Sequence, residues 1–100
     1  MSQSIEEALI TLKDRAVTVG ARAAKVAEIM DEWRVSEPQR YLAWCGGSGE
    51  WPPHVRLAHA ELRDAEAGLI AAARAYHDAG VAAVLAGADT ERPVEAEVAS

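Results

Sequence analysis

The chain has 100 residues, half of them apolar, with alanine dominating that class and no phenylalanine at all. A net charge of −6 and a pI near 4.9 exclude generic affinity for a nucleic-acid duplex or an anionic membrane surface. The lone Cys45 excludes an internal disulfide. One domain is what this length supports, and an alanine-rich core buries little area per residue at about 25 cal/mol per Å². Oligomerisation is the usual remedy for such a chain. No run reaches the roughly 18 apolar residues of a membrane span, and the acidic start Met1–Glu7 is not a signal peptide. A soluble cytoplasmic chain is therefore expected, with export lacking a cleavable signal as the alternative. Eight arginines against two lysines, with abundant alanine, fit a high-GC bacterial or phage genome.

Ser4 followed by Glu7 has the form of a capping box. Apolar residues then recur at Ile5, Leu9, Leu12, Ala16, Val19, Ala23, Val26, Met30 and Trp33. The alternation of four and three is a heptad seam and predicts a helix over 4–34. Ser36-Glu37-Pro38 predicts a second, short helix over about 37–44, with Ser36 as its cap and Pro38 in its first turn. Gly46-Gly47-Ser48-Gly49 ends it, and Pro52-Pro53 launches a third helix over 53–86. That helix carries its own seam: Val55, Ala58, Leu62, Ala65, Leu69, Ala72, Tyr76, Ala79, Ala83 and Ala86. Gly87 and Pro93 supply its stop, and residues 88–100 read as an acidic, flexible tail.

The two seams fit each other antiparallel. With Trp33 beside Val55, Met30 meets Ala58, Val26 meets Leu62, Val19 meets Leu69 and Ile5 meets Ala83, and Gly20 falls opposite Gly68. Large residues mostly face small ones, as interdigitation needs. The expected fold is thus all-α, a domain over 1–87 built as a long antiparallel helical hairpin with a short helix at its tip. Ile70, Ala73, Val81, Val84 and Leu85 lie off the seam, so the third helix is apolar on a second face that must be buried somewhere. A second subunit (a second copy or another helical protein), completing a four-helix bundle or a larger helical oligomer, is the expected occupant, with the short helix or the tail folding back over the face as the alternative.

Candidate chemistry is sparse. His54, His59 and His77 form no metal-ligand spacing with one another or with a glutamate on a helix, so no metal or cofactor is expected. Cys45 has no orienting partner in sequence, and carboxylate pairs such as Glu28/Glu32 lie on polar stripes; no catalytic residue is assigned and no enzyme is expected. The tip alone is chemically unusual. Arg34, Arg40, Tyr41, Trp44, Trp51, His54 and Arg56 cluster there with Trp33, and residues 33–59 carry net +1 against −7 for the remainder. Aromatics with arginine make interface hot spots and also stack on bases. The same aromatics can equally plug the open end of the hairpin around the short helix.

Trp44-Cys45-Gly46, followed by Gly47-Ser48-Gly49 in the loop of a helical hairpin of this length, resembles the WXG100 family of small secreted bacterial proteins. The resemblance implies two antiparallel helices joined at that turn, pairing into four-helix dimers and exported by type VII secretion. Pro38, Pro52 and Pro53 depart from the family's tight turn, and Tyr76 lacks the acidic residue four positions on that its export signal requires. Pro52-Pro53, Arg56 and the stretch from Ala58 through Ala65 to Ala72 also resemble small helical phage proteins that sequester cyclic oligonucleotides. That likeness implies a small anionic ligand held by tip arginines and aromatics. A protein-binding or assembly module is the leading expectation, with such a ligand-binding role or an acidic inhibitor of a basic enzyme as alternatives.

Overall fold

A computed structural model describes residues 4–99, with side chains through Gly87. It is all-helical, with three helices in chain order: α1 over Ile5–Ser36, α2 over Pro38–Cys45 and α3 over Pro53–Ala99. No strand occurs among the described residues. The molecule is a rod of 72 × 25 × 18 Å with a radius of gyration of 22.2 Å, against about 13 Å for a compact chain of this length. The stop expected at Gly87 and Pro93 is not made, since α3 runs through both to Ala99; the side chains of the acidic tail expected over 88–100 lie outside the described ones.

The α1 start follows from its cap. Ser4 Oγ accepts a hydrogen bond from the Glu7 backbone N–H at 3.1 Å and donates one to Glu7 Oε1 at 3.1 Å. One orphan donor of the first turn is thereby satisfied, and two acidic residues, Glu6 and Glu7, sit at the positive end of the helix dipole. Ser36 does not cap α2 as expected. It is the last residue of α1, and its hydroxyl donates to the Trp33 carbonyl at 3.4 Å. The chain breaks one residue later, at Glu37, because the ring of Pro38 disfavours helical backbone in the residue before it.

Contacts between α1 and α3 run in opposite chain directions. Ile5 lies against Gly80 and Arg15 against Gly68. Arg22 pairs with Glu61 at 3.2 Å, and Lys25 reaches the same carboxylate at 3.7 Å. The core is thin: among the described residues Ala8, Trp33, Val55, Ala58, Ala72 and Ala79 are buried, and four of these six are alanine.

The α3 seam from Val55 to Ala79 is buried or half-buried throughout, as its spacing predicts. The α1 seam is only partly kept. Leu9, Leu12, Val19, Val26, Met30 and Trp33 are at least half-buried, whereas Ala16 and Ala23 are exposed and Thr18 and Arg22 have turned inward. An α-helix at 3.6 residues per turn drifts by about 20° per heptad from a strict 3.5 repeat, so a seam drawn over four heptads walks off the contact. Register follows the same drift. Trp33 and Val55 both reach zero exposure at the tip, but Ile5 arrives at Gly80, three residues short of Ala83. The expected opposition of Gly20 and Gly68 fails, since a side chain at Gly20 would meet nothing within 4 Å. Ala83 and Ala86 are exposed because α1 has ended before it reaches them.

Candidate functional site

Two regions carry the residues that the sequence singles out. The first is the tip. Trp33, on the last turn of α1, is fully buried and forms the base of an aromatic chain. Its ring centroid is 5.5 Å from Tyr41 in an edge-on contact and 5.9 Å from Trp44. Trp44 in turn lies 5.8 Å from Trp51, and Trp51 stacks flat on His59 at 3.9 Å with 2° between the ring planes. These tilted and stacked geometries are the ones that aromatic quadrupoles favour, each adding about 0.5–1.5 kcal/mol beyond area burial. Tyr41, Trp44 and Trp51 are half-buried, so the aromatics close the end of the helix pair as one packed cluster.

The loop that follows α2 is built to hold Trp51 there. Gly47 adopts φ +84, the left-handed region that favours glycine. Its N–H donates to the Trp44 carbonyl at 2.9 Å, and that of Ser48 to the Ala43 carbonyl at 2.9 Å. This is a Schellman stop, which turns the chain sharply and satisfies the last carbonyls of α2. Trp44-Cys45-Gly46 therefore spans the last turn of α2 and its cap. Gly49 must also be glycine, because a Cβ there would lie 2.8 Å from the Trp44 nitrogen.

The tip arginines point outward. Arg34 pairs with Asp31 at 2.6 Å; that hydrogen bond first, and then the aspartate charge, hold its guanidinium above its ordinary pKa. Arg40 reaches Glu37 at 3.3 Å and is largely exposed. Arg56 donates to the Trp51 carbonyl at 3.4 Å. Arg40, Trp51 and Arg56 share an open cleft of about 500 Å³ with Glu50 and Pro52. Arg34 and His54 do not line it, and Cys45 is exposed nearby without a disulfide partner. His59 is the tip residue that sequence reasoning leaves out. Its position one turn after Val55 and beside Ala58, at the edge of the buried seam, is the signal that would have found it. Trp33 Nε1, Trp51 Nε1 and His59 Nε2 are all buried without a hydrogen-bond partner, so the cluster is stabilised by packing rather than by polar pairing.

The second region is the middle of α3, running past Gly80 where α1 ends while α3 continues to Ala99. Ile70 is 54% exposed, Val81 45%, Val84 70% and Leu85 61%, and Ala73 is exposed with them. Ile5, Tyr76, His77, Gly80, Val81 and Val84 line an open apolar groove of about 500 Å³. All five residues expected at an interface are thus on the surface of the single chain. A further groove between α1 and α3 has Thr11, Arg15, Thr18 and Asp64 beside Gly68 and four alanines of α3.

No three His, Cys, Asp or Glu side chains come together as metal ligands among the described residues. One correction concerns hydropathy. α3 over Pro53–Gly87 contains an 18-residue window of mean hydropathy 1.2 with no more than two charged residues, of which 11% is buried. The window passes because alanine counts as apolar on that scale while adding little side-chain area. Comparison with protein-family models, with curated proteins and with solved structures finds no match.

Proposed function

We propose that the chain is a non-enzymatic helical assembly module. In this reading α1 and α3 form a coiled-coil-like hairpin closed by the aromatic tip. The outer face of α3, at Ile70, Ala73, Val81, Val84 and Leu85, docks a second helical hairpin to complete a four-helix bundle. One observation carries the reading. Among the described residues only Trp33 and Val55 are large side chains with full burial, while ten large apolar side chains stand exposed, four of them, Ile70, Val81, Val84 and Leu85, on this outer face. A helix apolar on two faces is stable in water when both are covered. The likeness of Trp44-Cys45-Gly46 to the WXG100 turn supports the same architecture. The test is the mass of the chain in solution, by light scattering behind size exclusion at two concentrations. A dimer or larger species that the double substitution Ile70→Glu/Val84→Glu converts to a monomer of unchanged helicity supports the reading. A wild-type assembly whose mass that variant leaves unaltered sinks it.

A second reading assigns the tip to a small anionic ligand, and the shared cleft of Arg40, Trp51 and Arg56 favours it. Arginine and tryptophan together offer phosphate pairing and base stacking. Tryptophan fluorescence titrated with a cyclic dinucleotide tests this; a flat titration removes the reading, and a saturable change lost in Arg56→Ala supports it.

A further inference from the structure

We infer that the occupant of the outer α3 face is a second copy of this chain, laid antiparallel along α3 about a two-fold axis through His77. This pairing rests on the assembly reading above and names its partner. Three observations point to a copy rather than to a foreign helix.

The first is the spacing of the face. Ile70, Ala73, His77, Val81 and Val84 are all exposed and are separated by three, four, four and three residues. Leu85, also exposed on this outer face, lies to one side of the stripe; the stripe itself reads the same from either end. An antiparallel copy centred on His77 sets Ile70 on the partner's Val84, Ala73 on the partner's Val81, and His77 on itself. A closed two-fold interface requires this self-complementarity, in which residue i meets j and j meets i. A foreign helix places no such demand on the spacing.

The second is charge. Arg74 and Asp78 flank the stripe one turn apart, and neither makes an ion pair within the chain among the described residues. In the antiparallel arrangement Arg74 of each copy lies within a turn of the partner's Asp78, giving two symmetric pairs of opposite sign. A parallel arrangement would set like on like at both positions, which is unfavourable. The same charges argue against a bilayer around α3, since both would lie within the hydrocarbon-facing stretch.

The third is extent. The register superimposes described residues 67–87 on themselves, about 31 Å of helix at ~1.5 Å per residue. It also gives residues beyond Gly80, which have lost α1 as a neighbour, the body of the partner to lie against.

Cysteine cross-linking in the full chain, in a Cys45→Ser background, tests the register. Under mild oxidation His77→Cys should give a covalent dimer as the major species. Ile70→Cys and Val84→Cys should each give little alone and a cross-linked heterodimer when mixed. If His77→Cys perturbs the pairing, the mixed experiment still reads the register. A wild-type dimer that dissociates in Ile70→Glu/Val84→Glu but cross-links at neither position overturns the two-fold register and leaves the assembly reading standing. A wild-type chain that is monomeric at every concentration overturns the second copy as occupant. If that monomer floats with phosphatidylcholine vesicles, the face belongs to a bilayer instead. A dimer unmoved by Ile70→Glu/Val84→Glu overturns the α3 face itself, and the register with it.

Discussion

The two ends of the α1–α3 contact solve the same problem in different ways. Each end of a helix pair leaves apolar surface that a neighbour must cover. At the tip the chain covers it itself. α2 folds back, the Schellman turn at Gly47 redirects the backbone, and Trp33, Tyr41, Trp44, Trp51 and His59 pack as one chain of rings. At the other end nothing folds back among the described residues. α1 stops at Ile5 against Gly80, and Val81, Val84 and Leu85 stand in solvent. A short alanine-rich sequence has few large side chains, and this one concentrates its aromatics at one end. Internal stability therefore resides at the tip, and intermolecular contact is expected at the open end.

That contrast is open to attack from the tip first. Trp33→Ala removes the base of the cluster and should cost about 3–5 kcal/mol, the range for a fully buried aromatic. Urea unfolding of the variant and the wild type checks it, and a loss under 1 kcal/mol would mean the tip is not where stability resides. A smaller loss, about 1–3 kcal/mol, is expected of Gly49→Ala, because the added Cβ meets fixed backbone of α2 and forces the loop to shift. The matching change at the open end should have the opposite sign. At Gly80 an added Cβ would touch only Ile5 Cδ1 at 3.9 Å, so Gly80→Ala should stabilise by about 0.5–1 kcal/mol through helix propensity. Thermal unfolding of the two glycine variants side by side compares the ends directly. The smallest effect on the folded single chain is expected of Leu85→Ser. As an exposed residue it should change unfolding free energy at low concentration by no more than about 0.5 kcal/mol, while lowering the apparent mass by light scattering. A large stability loss with unchanged mass would reverse the assignment of this end.

Much of the helical framework was legible residue by residue. Ser4 and Glu7 mark the start of α1 because capping is a local hydrogen-bond property, and the structure makes that bond. Pro38 and Pro53 mark two further starts because a ring that fixes φ and removes an N–H acts locally as well. The α3 seam was also legible, since each of its positions from Val55 to Ala79 lies against α1 or the tip. The α1 seam was legible only where its residues are large. Leu12, Val19 and Val26 stay inward, but Ala16 and Ala23 carry too little area to hold the helix against its natural drift, and Thr18 and Arg22 replace them. Arg22 also gains Glu61 by turning in, a partly exposed pair worth no more than about 1 kcal/mol.

At the candidate sites the division is sharper. Sequence placed three tryptophans and three arginines near one another, but not which would be buried. The structure separates them: Trp33 lies inside, Trp51 lies flat on His59, and Arg40 and Arg56 share a cleft that Arg34 does not line. The flat stack on His59 depends on a loop closing through Gly47 and Gly49, and no periodicity in the sequence encodes where that loop brings Trp51. The sequence by itself determined the all-helical class, the helix starts and the presence of a second apolar face on α3, because caps, proline and heptad spacing act within a few residues. Only the tertiary structure decided where α1 runs out along α3, which α1 residues face inward, and that α3 is left bare from Val81 to Ala86. Those depend on helix drift summed over four heptads and on the packing of the tip, which no single segment contains.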